Sequence, residues 1–133
     1  MKKFIPLLLS VLFLTGCSLP GMQEGSYRQI SMDEAITIME EESGYIILDV
    51  RTPEEFAGKH IPGAINIPNE TIGTDEIPEL PDKDQLILVY CRSGNRSKQA
   101  SEKLVKSGYT NVVEFGGIND WPGDTETNAG GQL

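Results

Sequence analysis

The stretch from Leu86 to Leu104 reads LILVYCRSGNRSKQASEKL. An apolar run ends abruptly in Cys91. Arg92, Ser93, Gly94, Asn95, Arg96 and Ser97 follow, and a helical pattern begins near Ser97. Together these residue types point to nucleophilic chemistry. The reactive form of cysteine is the thiolate, and neighbouring cations and a helix N-terminus favour it over the thiol. A short loop between a strand and a helix can also turn its backbone N–H groups inward, which makes a cradle for an anion. Gly94 allows the left-handed turn such a loop needs. The alternative is a structural loop with solvated arginines and an inert buried cysteine, a common setting for that residue. It leaves the apolar run, the thiol and the helix start unconnected.

The positioning elements can be read on either side. Ser31 with Glu34, in SMDEAITIMEEE, is a capping box at the start of a helix whose apolar side is Ala35, Ile36, Ile38 and Met39. YIILDV, Tyr45 to Val50, is a continuous apolar run, as expected of a strand buried on both faces. Thr52 and Glu55 form a second capping box, with Pro53 at the first helical position. AINIP, LILVY and NVVEF read as further strands. Residues 97–107 read as a helix with Gly108 at its C-terminal end. Apolar strands alternating with amphipathic helices predict an α/β fold on a mainly parallel sheet. In such sheets ligands bind beyond the carboxyl ends of the strands, where Cys91 lies.

The N-terminus is organised differently. Lys2 and Lys3 precede FIPLLLSVLFLT, an apolar run of twelve residues. A membrane span takes about 20, whereas a signal-peptide core is this short. The run closes on Leu14-Thr15-Gly16-Cys17, which resembles the lipobox of bacterial lipoproteins. That resemblance implies lipidation of Cys17 after removal of residues 1–16, and a protein anchored by its lipid outside the cytoplasm. Loss of Lys2 and Lys3 takes the formal net charge from −9 to −11, and so acidic a chain argues against a nucleic-acid partner. The chain has two cysteines. With Cys17 lipidated, Cys91 is an unpaired thiol in an exported protein, where cysteines usually pair. The expected organisation is a signal peptide over 1–16, a lipidated cysteine and tether over 17–26, one monomeric domain over 27–122, and a disordered Gly-rich tail over 123–133.

Three segments carry a further resemblance: DVRTPEEFAGKHIPGAINIP (Asp49 to Pro68), CRSGNRS (Cys91 to Ser97) and GGINDW (Gly116 to Trp121). In order and spacing they resemble the marker segments of single-domain rhodaneses, and the likeness runs from Tyr27 to Trp121. It implies a sheet of about five strands flanked by helices and a sulfurtransferase reaction without a cofactor. Cys91 would take the sulfane sulfur of a small anionic donor such as thiosulfate, hold it as a persulfide and pass it to a thiol or cyanide. The amides of residues 92–97 would stabilise the persulfide. Arg92 and Arg96 would attract and steady the donor, with Arg96 alternatively pairing with an acidic residue to hold the loop. Asp49 and Arg51 are expected to brace loops, with donor binding a lesser role for Arg51. His60, the only histidine, is expected to be a hydrogen-bonded turn residue. Trp121 is expected to pack beside the active-site loop. One histidine and one free cysteine make no metal site. Rival readings are a phosphatase or arsenate reductase on the same fold, a thiol–disulfide oxidoreductase, and a non-enzymatic sulfur carrier or sensor. The first uses five residues between cysteine and arginine, whereas four separate Cys91 from Arg96. The second normally needs a resolving cysteine.

Overall fold

The computed structural model describes residues 26–73 and 75–128. Among the described residues there are five strands, β1 (Arg28–Gln29), β2 (Ile46–Asp49), β3 (Ile65–Asn66), β4 (Ile87–Cys91) and β5 (Val112–Gly117). They form one parallel sheet in the order β1-β5-β4-β2-β3. The helices are α1 (Met32–Glu41), α2 (Pro53–Gly58) and α3 (Asn95–Lys106), with single 3₁₀ turns at Asn69–Thr71 and Ile118–Asp120. This is the α/β arrangement that the sequence pattern predicts.

Alternation along the central strands divides the core. Leu48, Val89 and Cys91 face one side, with Ala100 and Leu104 of α3. Ile47, Leu88, Tyr90, Val113 and Phe115 face the other, with Ala35 of α1. Strands β2 and β4 are covered on both faces, so they carry apolar residues at nearly every position, with Asp49 at the end of β2 the charged exception. Both capping boxes are formed. The Glu34 amide donates to Ser31 Oγ at 3.1 Å and the Glu55 amide to Thr52 Oγ1 at 3.2 Å.

Three differences from the sequence reading bear on the site. Helix α3 starts at Asn95, capped by Gly94, rather than near Ser97, so the loop after Cys91 is shorter and Ser97 lies in the first helical turn. Strand β1 has only two exposed residues and so no apolar alternation to betray it. The segment expected to begin a disordered tail is hydrogen-bonded to the domain at two places: His60 and Glu126 form an antiparallel bridge, and the Asn128 amide donates to the Ala57 carbonyl. The expected signal peptide, Cys17 and the tether up to residue 25 lie outside the described residues, as do residues 129–133.

Candidate active site

Cys91 ends β4 and is 1% exposed. The β4–β5 register breaks between Val89 and Cys91, which sets Cys91 opposite Gly117. The chain then turns through Gly94, whose φ of +114° is a left-handed conformation open to glycine at little cost. That turn aims the Gly94 N–H back at Cys91 Sγ, 2.9 Å away. Ser97 is buried, and its Oγ lies 3.4 Å from the sulfur. The thiol therefore meets a backbone donor and a hydroxyl at the N-terminus of a twelve-residue helix, where backbone dipoles favour negative charge. Arg92, Ser93 and Asn95 are exposed around it.

The loop is held from behind. The Asn119 amide donates to the Arg92 carbonyl at 3.2 Å. A Cβ at Gly117 would run into that same carbonyl and the Ser93 nitrogen, so the loop sits where only a glycine on β5 leaves room. The turn before Trp121 thus contacts the loop. The Trp121 side chain packs with the core cluster on the other face, and its Nε1 donates to the Asp124 carbonyl at 2.9 Å.

Arg96, expected to steady a donor, makes a two-pronged pair with Glu55 of α2, at 2.7 and 3.0 Å. Glu55 also accepts from Thr52 at the cap of α2, so one carboxylate ties the start of α2 to the start of α3. The hydrogen bond from Arg96 is the main reason its carboxyl is held down at about 2, against an ordinary 4.5. A carboxyl depressed on folding contributes stability that is complete above its unfolded value and fades as pH falls through the folded one. The wild type should therefore lose melting temperature relative to Glu55→Gln as pH falls from 4.5 towards 2. A difference between the two that stays constant over that window would contradict the pairing.

Asp49 is fully buried and Arg51 is 4% exposed. Arg51 Nη2 lies 2.7 Å from Asp49 Oδ2 and donates to the Lys59 carbonyl at 2.6 Å. The Arg51 amide donates to Asp49 Oδ1, and the guanidinium lies over the Tyr90 ring. The pair locks the end of β2 to the extended stretch at residues 59–61, just before the turn at Pro62 and Gly63. There His60 is buried and bridged to Glu126, stacked on Phe56 with ring centroids 3.8 Å apart, and its Nδ1 is 2.8 Å from the Phe56 carbonyl.

Glu114 escaped the sequence reading. It sits in β5, 3% exposed. Its Oε1 accepts from Ser97 Oγ at 2.7 Å and from the Gly116 amide at 2.8 Å. The signal available was a carboxylate in the middle of an apolar strand, which burial tolerates only with hydrogen-bond partners.

The rhodanese-like domain family matches residues 31–124, and the prokaryotic membrane lipoprotein lipid attachment site matches residues 1–18. The thiosulfate sulfurtransferase PspE of Escherichia coli is 42% identical over 73 residues, 55% of this chain and 70% of that protein. The thiosulfate sulfurtransferase GlpE of Pseudomonas entomophila is 33% identical over 104 residues, 74% of this chain and 92% of that one. Other relatives are longer, and the chain spans about a quarter of their length. A solved rhodanese from E. coli, determined with anions, is 38% identical and superposes with a TM-score of 0.57, covering 62% of this chain and 98% of its own.

Proposed function

The chain belongs to the rhodanese-like domain family, and from that membership we propose that it transfers a sulfane sulfur through a persulfide on Cys91. The observation that carries the reading is the Gly94 N–H aimed at Cys91 Sγ at 2.9 Å, at the N-terminus of α3. The Cys91 thiolate attacks the outer sulfur of thiosulfate. The S–S bond of the donor breaks, sulfite leaves with the bonding pair, and Cys91 keeps one sulfur. An acceptor thiolate or cyanide then attacks that outer sulfur, and the Cys91 thiolate is restored. The loop amides and the helix dipole stabilise the negative charge that both steps carry. The attachment-site match supports a lipid on Cys17 and a domain tethered to the outer side of a membrane. A diacyl anchor holds far more firmly than a single chain, since each buried methylene contributes about 0.8 kcal/mol.

The two arginines divide the work. Arg96 is committed to Glu55, so its role is to hold the start of α3. Arg92 is exposed and attracts the anionic donor. Arg92→Ala should raise the KM for thiosulfate several-fold with a smaller effect on kcat, the signature of lost binding. The wild-type rate at low thiosulfate should fall as salt rises, because exposed charges are screened over about 8 Å at physiological ionic strength. Salt-independent kinetics would contradict this role.

The reading as a whole is tested by assaying the full chain in detergent with thiosulfate and cyanide, and separately with an aryl phosphate and with arsenate. Thiocyanate formation with no turnover of phosphate or arsenate is expected. Phosphate hydrolysis at a comparable rate would favour the phosphatase reading. One sulfur taken up without further turnover would favour a carrier.

A further inference from the structure

Cys91 and Glu114 are joined through one hydroxyl. Ser97 Oγ lies 3.4 Å from Cys91 Sγ and 2.7 Å from Glu114 Oε1. The Gly94 and Gly116 carbonyls lie farther from it, at 2.9 and 3.4 Å. A serine hydroxyl has a single hydrogen, and its shortest contact is to the carboxyl group, where a charge-assisted bond is strongest. With that hydrogen given to Glu114, Ser97 offers only lone pairs to the sulfur. A thiol can donate to them, but a thiolate would face them unsatisfied. The geometry points to Glu114 as the proton partner of Cys91. At rest it withholds the Ser97 hydrogen and keeps Cys91 a thiol, and it takes the thiol proton when the nucleophile forms.

The transfer balances without an outside base. The proton on Sγ passes to Ser97 Oγ, and the Ser97 hydrogen passes to Glu114 Oε1. The products are a thiolate that now receives a hydrogen bond from Ser97 and a neutral carboxyl group. The pair carries one negative charge before and after, so the buried site gains none. When Cys91 takes up sulfur, the charge moves to the outer sulfur and Glu114 returns its proton to solvent. Resting thiol, ionised Glu114 and thiosulfate thus give persulfide anion, ionised Glu114, sulfite and one proton. Glu114 acts through Ser97, so it positions a proton and does not itself touch the sulfur. The other charged groups in this field are Glu102 of α3, which with Glu114 acts on Tyr27, and Glu55 and Glu70, which with Cys91 act on Arg96. Gln29 of β1 donates to the second oxygen of Glu114 at 3.4 Å.

The inference rests on the sulfur-transfer reading of Cys91, and two measurements on the full chain in detergent separate them. One is alkylation of Cys91 by iodoacetamide at neutral pH, which needs no sulfur donor. The other is the proton count on loading with thiosulfate, read with a pH indicator and corrected by a sulfite control. Glu114→Gln keeps the shape but can neither bind the proton nor oppose the thiolate. Its Cys91 should alkylate about tenfold faster, because loss of an interacting acidic group favours the thiolate, and the variant should release fewer protons per sulfur bound than the wild type. Equal proton counts, or alkylation that is unchanged or slower, would overturn the inference and leave Glu114 a brace for the loop. If the variant fails to fold, Ser97→Ala is read in its place: it removes the lone pairs that hold the thiol proton, so Cys91 should again alkylate faster than in the wild type, and unchanged or slower alkylation would overturn the inference. A wild type that gains no sulfur defeats the transfer reading, while the alkylation comparison still judges Glu114.

Discussion

Cys91→Ser is expected to leave the fold intact and to abolish sulfur transfer. The two side chains are close in size, and the serine oxygen can still accept from the Gly94 amide that now points at the sulfur. A hydroxyl, however, is not ionised at neutral pH and cannot hold a persulfide. Loss of a covalent nucleophile costs several orders of magnitude, so turnover should drop by at least about a thousandfold. The check is a pair of measurements on one preparation: an unchanged melting temperature and a rate at background. Substantial residual transfer would place the chemistry on another group.

The largest effect on stability is expected at Asp49. Its carboxylate is fully buried and meets Arg51, itself 4% exposed. Removing one member of such a pair leaves the other charge buried without its partner, at a cost of about 3–5 kcal/mol. Asp49→Ala should therefore lower the melting temperature sharply. Arg51 would keep its bond to the Lys59 carbonyl, which does not neutralise it. Asp49→Ala combined with Arg51→Met should recover part of the loss. No recovery in the double variant would mean that Asp49 acts through its bond to the Arg51 amide and not through the ion pair.

What the sequence made legible was local. Ser31 with Glu34 and Thr52 with Glu55 are three residues apart, and both capping boxes are formed. The runs IILD and ILVYC are apolar at nearly every position because both faces of the central strands are covered. What stayed hidden depends on pairs distant in sequence. Arg96 finds Glu55 across 41 positions, and Ser97 finds Glu114 across 17; no spacing rule links them. The sequence pattern puts the start of α3 late because its cap is Gly94 in a left-handed conformation, with no side-chain cap bond to announce it. Glu126 reads as tail because its partners, the backbone of His60 and its imidazole 3.6 Å from the carboxylate, are far off in sequence and leave no mark in a polar, Gly-rich segment.

Sulfur on Cys91 can be weighed directly. The full chain would be treated with thiosulfate, freed of excess donor, digested and examined by mass spectrometry. The expected result is a gain of one sulfur atom on the peptide carrying Cys91, reversed by cyanide and absent in Cys91→Ser. An unmodified Cys91 after treatment with thiosulfate, or a sulfur that cyanide does not remove, would contradict transfer through a Cys91 persulfide.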